Sequence, residues 1–458
     1  MHNIYVKDVL DICNGILLSG DKNLLLENFS KDTRTINKKD VYIAIKGESF
    51  DGNMYIDDAF SKGASCCIID NNKYIDINKY KEKTIIKVDD SIKCLQKLAK
   101  YKRSLYNIPV IAITGSVGKT STKDIVYEVV NKKYKTLKPV GNLNNHIGLP
   151  LTILKLKDHE ALVVEMGMNH LKEISLLTSI AKPNIAIITN IGTAHIGNLG
   201  SRENILKAKL EITEALTKDN TLIINNDNDL LHNEVSILKD KYKLITIGIN
   251  NKSDYNATSI KDNIFSSTFN IDNDNININV GSTAFIYNSL VAYAVGKELK
   301  IDSKDIIDAI ANFKLSEHRL EKKISKSGIT IIDDTYNANQ DSMINAITLL
   351  SKVKNKRRVA ILGDILELGN YSKEIHQNIG KTITPNNLDL LITIGKESKY
   401  IKEEALKNNF NNNKIYSYKD YEETIKNISN IVKKDDIVLL KASHGMQLSK
   451  VVEELLKL

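Results

Sequence analysis

The residues with the clearest chemical potential form the glycine-rich stretch ITGSVGKTSTK at positions 113–123. Backbone N–H groups in such a turn, together with a helix N-terminus, bind phosphate, while a lysine adds positive charge and a threonine hydroxyl can hold Mg²⁺. A standard phosphate loop has four residues between its first glycine and the Gly-Lys pair. Here only two, Ser116 and Val117, separate Gly115 from Gly118. Because the apolar run VIAIT precedes the turn and a helical pattern follows it, a shortened phosphate loop is favoured over a plain turn.

Two residues with metal-binding side chains follow other strand-like runs of the same region. Glu165 comes directly after ALVV, and His195 lies in TNIGTAH just after NIAII. Because ligands of parallel α/β sheets bind beyond the carboxyl ends of the strands, both side chains are expected beside the phosphate loop. Taken singly, Glu165 also fits a solvated loop carboxylate and His195 a polar turn residue. Together they indicate a second cation site.

Lys209 lies in the helix-like stretch SRENILKAKLEITEAL at 201–216, for which Ser201 is a suitable N-cap. The apolar face of this predicted helix has Lys209 at its centre and otherwise consists of Ile205, Ile212 and Leu216. The polar face consists of Glu203, Lys207, Glu211 and Glu214. An unpaired ammonium is costly to bury, so the lysine head either extends outward to water or points into a site where it is paired, lowered in pKa or modified.

A further polar group follows the strand-like run ITII in the last third of the chain. It consists of Asp333, Asp334, Tyr336, Asn337 and Asn339. Aspartate at a strand end suits hydrogen bonding to a ribose, the asparagines suit a polar substrate, and Arg319 just upstream suits ATP phosphates. Asp and Asn are also ordinary turn residues, so a purely local role stays open for each.

The elements that must position these residues alternate between strand-like and helix-like segments, which predicts a parallel α/β architecture. Three domains are expected, at 1–105, 106–316 and 317–458. The first contains DVYIAI, ASCCIID and KTIIKV, and the last has its own strand set. The central domain is expected to place the phosphate loop in a mostly parallel sheet with flanking helices, and its polar stretch near 250–280 alternates like an antiparallel edge.

The composition is that of an ordinary globular chain, with 42% hydrophobic and 26% charged residues among 458. The net charge of +8 suits anionic ligands such as nucleotides, but it is spread without a dense basic block, so nucleic-acid binding is not indicated. No apolar stretch approaches a membrane span. Cys13, Cys66, Cys67 and Cys94 lack metal spacing and are expected to be buried small hydrophobes, which with the polar N-terminus predicts a cytoplasmic protein.

In combination these motifs resemble the Mur ligases, ATP-dependent amide-forming enzymes of peptidoglycan synthesis. TGSVGKTSTK is similar to their shortened phosphate loop, and three further strings match family positions: GNLNNHIGLPLT, EMGMNHLKEI and NIGTAHIGNLGSRENILKAKLEI. DDTYNANQDSM and ILGDILELG resemble the branch of the family that adds D-alanyl-D-alanine. The segment KDTRTINKKDVYIAIKGESFDGNMYIDDAFSKGAS resembles the family's N-terminal UDP-binding module, and the C-terminal domain would be Rossmann-like.

The resemblance implies a role for each matching residue. ATP phosphates would be bound by Thr114, Gly115, Ser116, Val117, Gly118, Lys119, Thr120 and Ser121, adenine by Asn288, the γ-phosphate by Arg319 and the ribose by Asp334. Two Mg²⁺ would be held by Thr120, Glu165, His195 and a carbamylated Lys209, and the catalytic set would be Lys119, Glu165, His195, Lys209 and Arg319. Uridine diphosphate would be held by Thr33, Arg34, Lys46, Gly47, Asp51 and Gly52, and the muramyl-peptide by Asn144 and Asn145.

The implied activity is ATP-dependent joining of D-alanyl-D-alanine to UDP-N-acetylmuramoyl-tripeptide through an acyl phosphate, by a monomer. Four positions differ from the family's usual residues: Ala284, Asn53, Gln340 and His444. One alternative is a folylpolyglutamate-type ligase, which lacks the N-terminal UDP module. The other is a nucleotide-dependent binding or regulatory protein on a degenerate ligase fold. The intact residues Lys119, Glu165, His195 and Lys209 disfavour it.

Overall fold

The computed structural model describes residues 2–458 and contains three large sheets that follow one another along the chain. The first part of the chain has strands β1 (Ile4–Tyr5), β2 (Ile16–Ser19), β3 (Leu25–Leu26), β4 (Phe29–Ser30), β5 (Val41–Ile43), β6 (Cys66–Ile69) and β7 (Thr84–Lys87), and helices α1 (Val6–Cys13), α2 (Ile56–Ser61) and α3 (Ser91–Ser104). Strands β2-β7-β6-β5-β4 form one sheet in that order, and β1 pairs with β3.

All four cysteines of the chain lie in this first part, and all four are buried free thiols. The prediction that they act as small hydrophobic side chains is therefore confirmed. Burial raises the pKa of the Cys66 thiol, because the thiolate would lose its hydration there.

The central sheet carries the predicted phosphate loop. Its strands are β8 (Val110–Thr114), β9 (Thr136–Leu137), β10 (Ala161–Glu165), β11 (Ile185–Ile188), β12 (Thr221–Asn225), β13 (Lys243–Gly248), β14 (Tyr255–Asp262), β15 (Ser267–Ile271) and β16 (Asp274–Ile278). The helices are α4 (Lys119–Val130), α5 (Gly148–Ile153), α6 (Glu173–Ala181), α7 (Ile196–Leu199), α8 (Arg202–Leu210), α9 (Asp229–Lys241), α10 (Thr283–Glu298) and α11 (Ser303–Ala311).

The strand order of this sheet brings the predicted site residues together. It runs β16-β15-β14-β13-β12-β11-β8-β10-β9, parallel from β9 to β14 and antiparallel from there on, as the alternating stretch near 250–280 predicted. Strand β8 lies between β10 and β11, so the segments after these three strands meet at one edge. Val110 and Ala112 pack into one hydrophobic core and Ile111 and Ile113 into another, because helices cover both faces.

The third sheet is also mostly parallel. Its strands are β17 (Glu321–Ile324), β18 (Thr330–Asp333), β19 (Arg358–Gly363), β20 (Leu390–Ile394), β21 (Ile415–Tyr418) and β22 (Ile437–Lys441), and its helices are α12 (Gln340–Ser351), α13 (Ser372–Ile383), α14 (Lys399–Lys407), α15 (Tyr421–Ile431) and α16 (Ser449–Lys457). The order is β17-β18-β22-β19-β20-β21, with only β17 antiparallel to its neighbour. The α/β fold class is thus confirmed, while the exact domain boundaries stay predictions.

Short 3₁₀ helices complete the secondary structure, at Thr33–Thr35, Gly52–Tyr55, Ile77–Tyr80, Glu211–Thr213, Gly369–Tyr371, Asn412–Lys414 and His444–Met446. Within residues 2–458, no helix combines the length and the apolar character needed to cross a bilayer.

The helix predicted over 201–216 is shorter than expected, and one residue of its predicted polar face is buried. Helix α8 ends at Leu210 and a 3₁₀ turn follows it. Glu211 is buried rather than solvated, because its carboxylate accepts hydrogen bonds from the backbone N–H groups of Lys172 (2.7 Å) and Ser175 (3.0 Å). These groups belong to the first turn of α6, whose free amides need an acceptor.

Candidate active site

A cavity of about 380 Å³ lies between the central and third sheets, at the carboxyl edge of β8, β10 and β11. Predicted site residues that line it are Ser116, Val117, Gly118, Lys119, Thr120, Ser121, Asn144, Asn145, Glu165, His195, Asn288, Arg319, Asp334, Asn337 and Asn339. Thr114, Gly115 and Lys209 are not on its wall, and neither are the six residues predicted to bind uridine diphosphate.

The phosphate loop leads into α4 with the geometry of an anion site. Gly118 is the N-cap of the helix and has a φ of +83°, which glycine adopts without strain. The backbone N–H groups of Gly118, Lys119, Thr120 and Ser121 meet no acceptor among residues 2–458. The Lys119 ammonium donates to Gly115 O at 2.9 Å, and burial lowers its pKa. Four free amides and a half-buried amine therefore face the place where phosphate is expected.

The two residues between the loop glycines, Ser116 and Val117, have backbone amides that are already hydrogen-bonded within the protein. The backbone N–H groups of Ser116 and Val117 both donate to Oδ1 of Asn190, at 3.1 and 2.9 Å. Asn190 is not among the residues that the sequence motifs indicate. Its only local signal is its position just after β11, in the same NIGTAH segment as His195.

Glu165 is the best-placed carboxylate for a cation at this site. It is 2% exposed, and it ends strand β10 next to the phosphate loop. One carboxylate oxygen accepts a hydrogen bond from the Thr120 hydroxyl at 2.9 Å, and the other accepts one from Asn144 Nδ2 at 2.7 Å. Two oxygen donors, from Glu165 and Thr120, thus lie together in a form that Mg²⁺ can use.

His195 is an imidazole with an unused nitrogen. Its Nδ1 is buried without a hydrogen-bond partner among the described residues, and lies 3.7 Å from the exposed Glu367 carboxylate. Burial, aided by the charges of Lys119 and Lys209, lowers the pKa of His195 to about 4. The ring is therefore neutral near pH 7 and keeps a lone pair available for a metal ion.

Lys209 is buried, so the alternative in which its head reaches water is wrong. The residue is 2% exposed, and among residues 2–458 its amine has no hydrogen-bond partner or ion pair. Burial first, and then the charge of Lys119, lower the pKa of Lys209 well below its usual value. The charge of a protonated Lys209 would also lower the pKa of His195, which lines the cavity. A neutral amine in this position can react as a nucleophile.

The third sheet contributes charged groups to the same cavity. Arg319 stacks on the ring of Tyr336 at 3.9 Å and donates through Nη2 to the Thr120 hydroxyl at 3.0 Å. Asp334 forms an ion pair with Lys441 at 2.6 Å, and burial raises the pKa of the Asp334 carboxyl. Arg319 thus reaches from the start of the third sheet to the phosphate loop.

The polar side chains near α12 have partly structural roles. Asn339 caps α12 by accepting a hydrogen bond from Ser342 N at 2.9 Å. The backbone oxygen of Asn337 accepts one from Lys441 at 3.0 Å, while its side chain is exposed. Asn288, on α10, accepts a hydrogen bond from the Thr122 hydroxyl at 2.9 Å beside the phosphate loop.

A second cluster of metal-capable groups lies at the start of the third sheet, where His318, Glu321 and Asp333 converge. The ammonium of Lys323 already lies there, 2.7 Å from Asp333 and 3.1 Å from Glu321. Because this lysine neutralises the carboxylates, the cluster fits an internal ion-pair network and not a cation site.

The residues predicted to hold uridine diphosphate lie together in the first part of the chain. Arg34 is exposed and pairs with Asp32 at 2.6 Å, and Thr33 precedes it in the same 3₁₀ turn. Lys46 and Asp51 form an isolated antiparallel bridge that brackets Gly47, and Gly52 begins the next 3₁₀ turn. Asn53 is buried and donates through Nδ2 to Asp51 and Asp70 at 2.7 and 2.8 Å.

This fold and site define a class of ATP-handling ligases. The Mur ligase family's catalytic domain matches residues 27–103, the Mur ligase middle domain matches residues 113–296, and the Mur ligase glutamate ligase domain matches residues 318–444. A curated relative is 34% identical over 457 residues, which is 99% of this chain. The chain therefore belongs to the Mur ligase family.

Three similar proteins show the extent of the match. The curated relative is the UDP-N-acetylmuramoyl-tripeptide--D-alanyl-D-alanine ligase of Bacillus subtilis (strain 168), of which 98% is covered. The structure of MurF from Acinetobacter baumannii has a TM-score of 0.89 at 26% identity, covering 100% of this chain and 99% of that one. The MurF ligase from Thermotoga maritima, solved in complex with ADP, has a TM-score of 0.80 at 29% identity, covering 94% of this chain and 97% of that one.

Proposed function

We propose that this protein is an ATP-dependent ligase that joins D-alanyl-D-alanine to UDP-N-acetylmuramoyl-tripeptide and so makes the pentapeptide precursor of peptidoglycan. The observation that carries the proposal is the convergence of four free loop amides, the Lys119 amine and the buried Glu165 in one cavity. The names of the full-length relatives supply the substrates. The match over the first part of the chain argues against a folylpolyglutamate-type ligase.

The chemistry requires activation, because a carboxylate is a poor electrophile. A carboxylate oxygen of the tripeptide attacks the γ-phosphorus of ATP, the bond to ADP breaks, and an acyl phosphate forms. The amine of D-alanyl-D-alanine then attacks the acyl carbon, loses a proton, and phosphate leaves from the tetrahedral intermediate. Lys119 and Arg319, which both line the cavity, would neutralise charge on the transferring phosphoryl group.

The buried donors fit Mg²⁺. Thr120 and Glu165 would hold one ion, and Glu165 with the free Nδ1 of His195 would serve a second. When bound, Mg²⁺ would supply positive charge that polarises the phosphate oxygens. A protonated Lys209 does not fit as a ligand, whereas its neutral amine can attack the carbon of CO₂ and release a proton, leaving a carbamate anion. We include this carbamate in the proposal because it turns an unpaired buried amine into a metal ligand.

The remaining predicted residues are assigned to substrates. Asn288 would contact adenine and Asp334 the ribose, while Asn144 and Asn145 would face the muramyl-peptide. Asn337 and Asn339, at the opposite wall, would contact the incoming dipeptide. In the first domain, the proposed uridine diphosphate site consists of Thr33, Arg34, Lys46, Gly47, Asp51 and Gly52.

One assay tests the proposal directly. Purified protein is incubated with ATP, Mg²⁺, D-alanyl-D-alanine and UDP-muramyl-tripeptides that differ in the third residue, and the products are followed by mass. We expect equal amounts of ADP, phosphate and UDP-muramyl-pentapeptide, formed only when both peptide substrates are present. Lys119→Ala is the inactive control. ATP hydrolysis that ignores both peptide substrates would count against the ligase.

A further inference from the structure

The shortened phosphate loop is closed by a side chain from another part of the chain. Asn190, in the segment after β11, accepts hydrogen bonds from the backbone N–H groups of Ser116 and Val117, the two residues between the loop glycines. Both bonds end on its one carboxamide oxygen, at 3.1 and 2.9 Å. Its Nδ2 donates back to Val117 O at 3.4 Å, and its backbone oxygen also accepts Ser116 N at 3.1 Å. A single asparagine therefore contacts both polar groups of the Val117 backbone and the amide of Ser116.

Neighbouring contacts fix the same segment against the loop. The Thr189 hydroxyl donates to Val117 O at 2.7 Å, and Gly192 N donates to the Ser116 hydroxyl at 2.9 Å. On its other side the segment is held by Arg202, which donates to Ile191 O at 2.8 Å. Asn190 is thus presented to the loop by a fixed backbone.

This arrangement divides the loop amides into two sets. Those of Ser116 and Val117 are used inside the protein, whereas those from Gly118 to Ser121 are free. A loop with only two residues between Gly115 and Gly118 has little backbone to satisfy its own polar groups. An external acceptor with two lone pairs meets that need, and a carboxamide oxygen supplies it without adding charge beside the phosphates.

We propose that Asn190 is a positioning residue for nucleotide phosphates, which acts by holding Ser116 and Val117 so that only the amides of residues 118–121 face the anion. The inference rests on the proposed function in so far as the anion is the phosphate tail of ATP. It assigns to Asn190 the work that additional loop residues do in a longer phosphate loop.

Two substitutions of Asn190 test separately the hydrogen-bond acceptor of its side chain and the fact that this side chain is uncharged. Asn190→Ala removes the side-chain acceptor, which leaves the Val117 amide unpaired, while Ser116 N keeps its bond to the backbone oxygen of residue 190. Amide hydrogen exchange of a peptide covering 113–121, measured without nucleotide, should therefore quicken about tenfold or more at Val117, and MgADP affinity should fall about tenfold. Asn190→Asp keeps an acceptor but adds negative charge. It should retain slow exchange and still bind MgADP more weakly. In turnover, Asn190→Ala should raise KM for ATP with little change in KM for the UDP-muramyl substrate.

Asn228→Ala is the matched control, because Asn228 Nδ2 donates to Ile191 O at 3.1 Å in the same segment without contacting the loop. It should leave the exchange of 113–121 within about twofold of wild type. Unchanged exchange in Asn190→Ala, or MgADP affinity within about twofold of wild type, would overturn the proposal. Hydrogen exchange is measured without substrates, so its result tests the role of Asn190 even if the wild-type protein forms no pentapeptide. The absence of pentapeptide would instead overturn the proposed function.

Discussion

Lys209 is a buried side chain with no ion pair in residues 2–458, and His195 is a half-buried one whose Nδ1 atom is buried without a hydrogen-bond partner there. Burying an unsatisfied polar group usually costs about 1–3 kcal/mol. Keeping the unpaired His195 nitrogen and the buried Lys209 amine costs stability, which is typical of a site built to receive a ligand.

Replacing the buried amine should therefore separate stability from activity. Lys209→Met fills the same space with an apolar chain, so we expect the thermal midpoint to rise by about 2 °C or more, while ligase turnover falls about 100-fold or more. Lys207→Met, on the exposed side of the same helix, should change neither quantity appreciably. In Lys209→Ala, a short carboxylate such as formate should restore part of the activity. Wild-type turnover in either Lys209 variant would contradict the assignment.

The low pKa of His195 gives a pH test with a definite sign. The folded state resists protonation down to about pH 4, whereas the unfolded histidine takes up a proton near pH 6.5. Between these values the unfolded state binds more protons, so stability falls as pH is lowered, by on the order of 1 kcal/mol per pH unit from this group. In EDTA, the thermal midpoint of wild type should fall more steeply from pH 6.5 to 4 than that of His195→Asn. Parallel curves for the two proteins would be the contrary result.

At the scale of elements, the phosphate loop depends on how closely it approaches the segment after β11. A Cβ atom on Gly115, whose φ is +152°, would lie 1.8 Å from the Thr189 hydroxyl. Gly115→Ala should thus displace the loop, lower MgADP affinity at least tenfold and reduce stability. Gly141→Ala is the matched control, because Gly141 also has a positive φ of +63° but open space around its Cβ position. It should cost only about 1 kcal/mol, the backbone penalty alone.

The elements that could be predicted from sequence are those whose pattern is continuous. VIAIT was identifiable as β8 because a strand covered on both faces is apolar throughout. The end of α8 could not be predicted in this way. The helical spacing that relates Lys209 to Ile212 continues through the 3₁₀ turn after Leu210, so the pattern gives no sign of where the α-helix stops.

The site was predictable to the same degree. Lys119, Glu165 and His195 were identified from their places after strands, and they do line one cavity. Asn190 was missed, because its partners Ser116 and Val117 are more than seventy residues away and an asparagine after a strand looks like any turn residue. The roles of Lys119, Glu165 and His195 in binding remain predictions.

At the scale of the whole molecule, the cavity exists only because the third sheet contacts the central one. Arg319 reaches Thr120, and Tyr371 in the 369–371 turn donates to Gly200 O, just after α7, at 2.7 Å. Domains of this kind move relative to one another during catalysis, so the two parts are expected to separate and approach during turnover.

Removing one of these contacts should shift that equilibrium. Tyr371→Phe deletes only the hydroxyl, so we expect about 1 kcal/mol less stabilisation of the approached state, or about fivefold in its population. Distances between fluorescent labels on the central and third sheets, measured with ADP present, would report the change, and kcat/KM should fall in proportion. Tyr416→Phe, on the edge strand β21, is the control. An unaltered distance distribution in Tyr371→Phe would show that this contact does not govern the approach.

The buried state of Cys13, Cys66, Cys67 and Cys94 makes such labelling straightforward. Maleimide dyes react with accessible thiolates, and all four sulfurs of the native chain are buried while it is folded. A pair of cysteines placed on exposed helices would then be the only fast-reacting positions, with no need to strip the protein of its own. The same property gives an unfolding probe, since the sudden reactivity of these thiols would mark the opening of the N-terminal part alone.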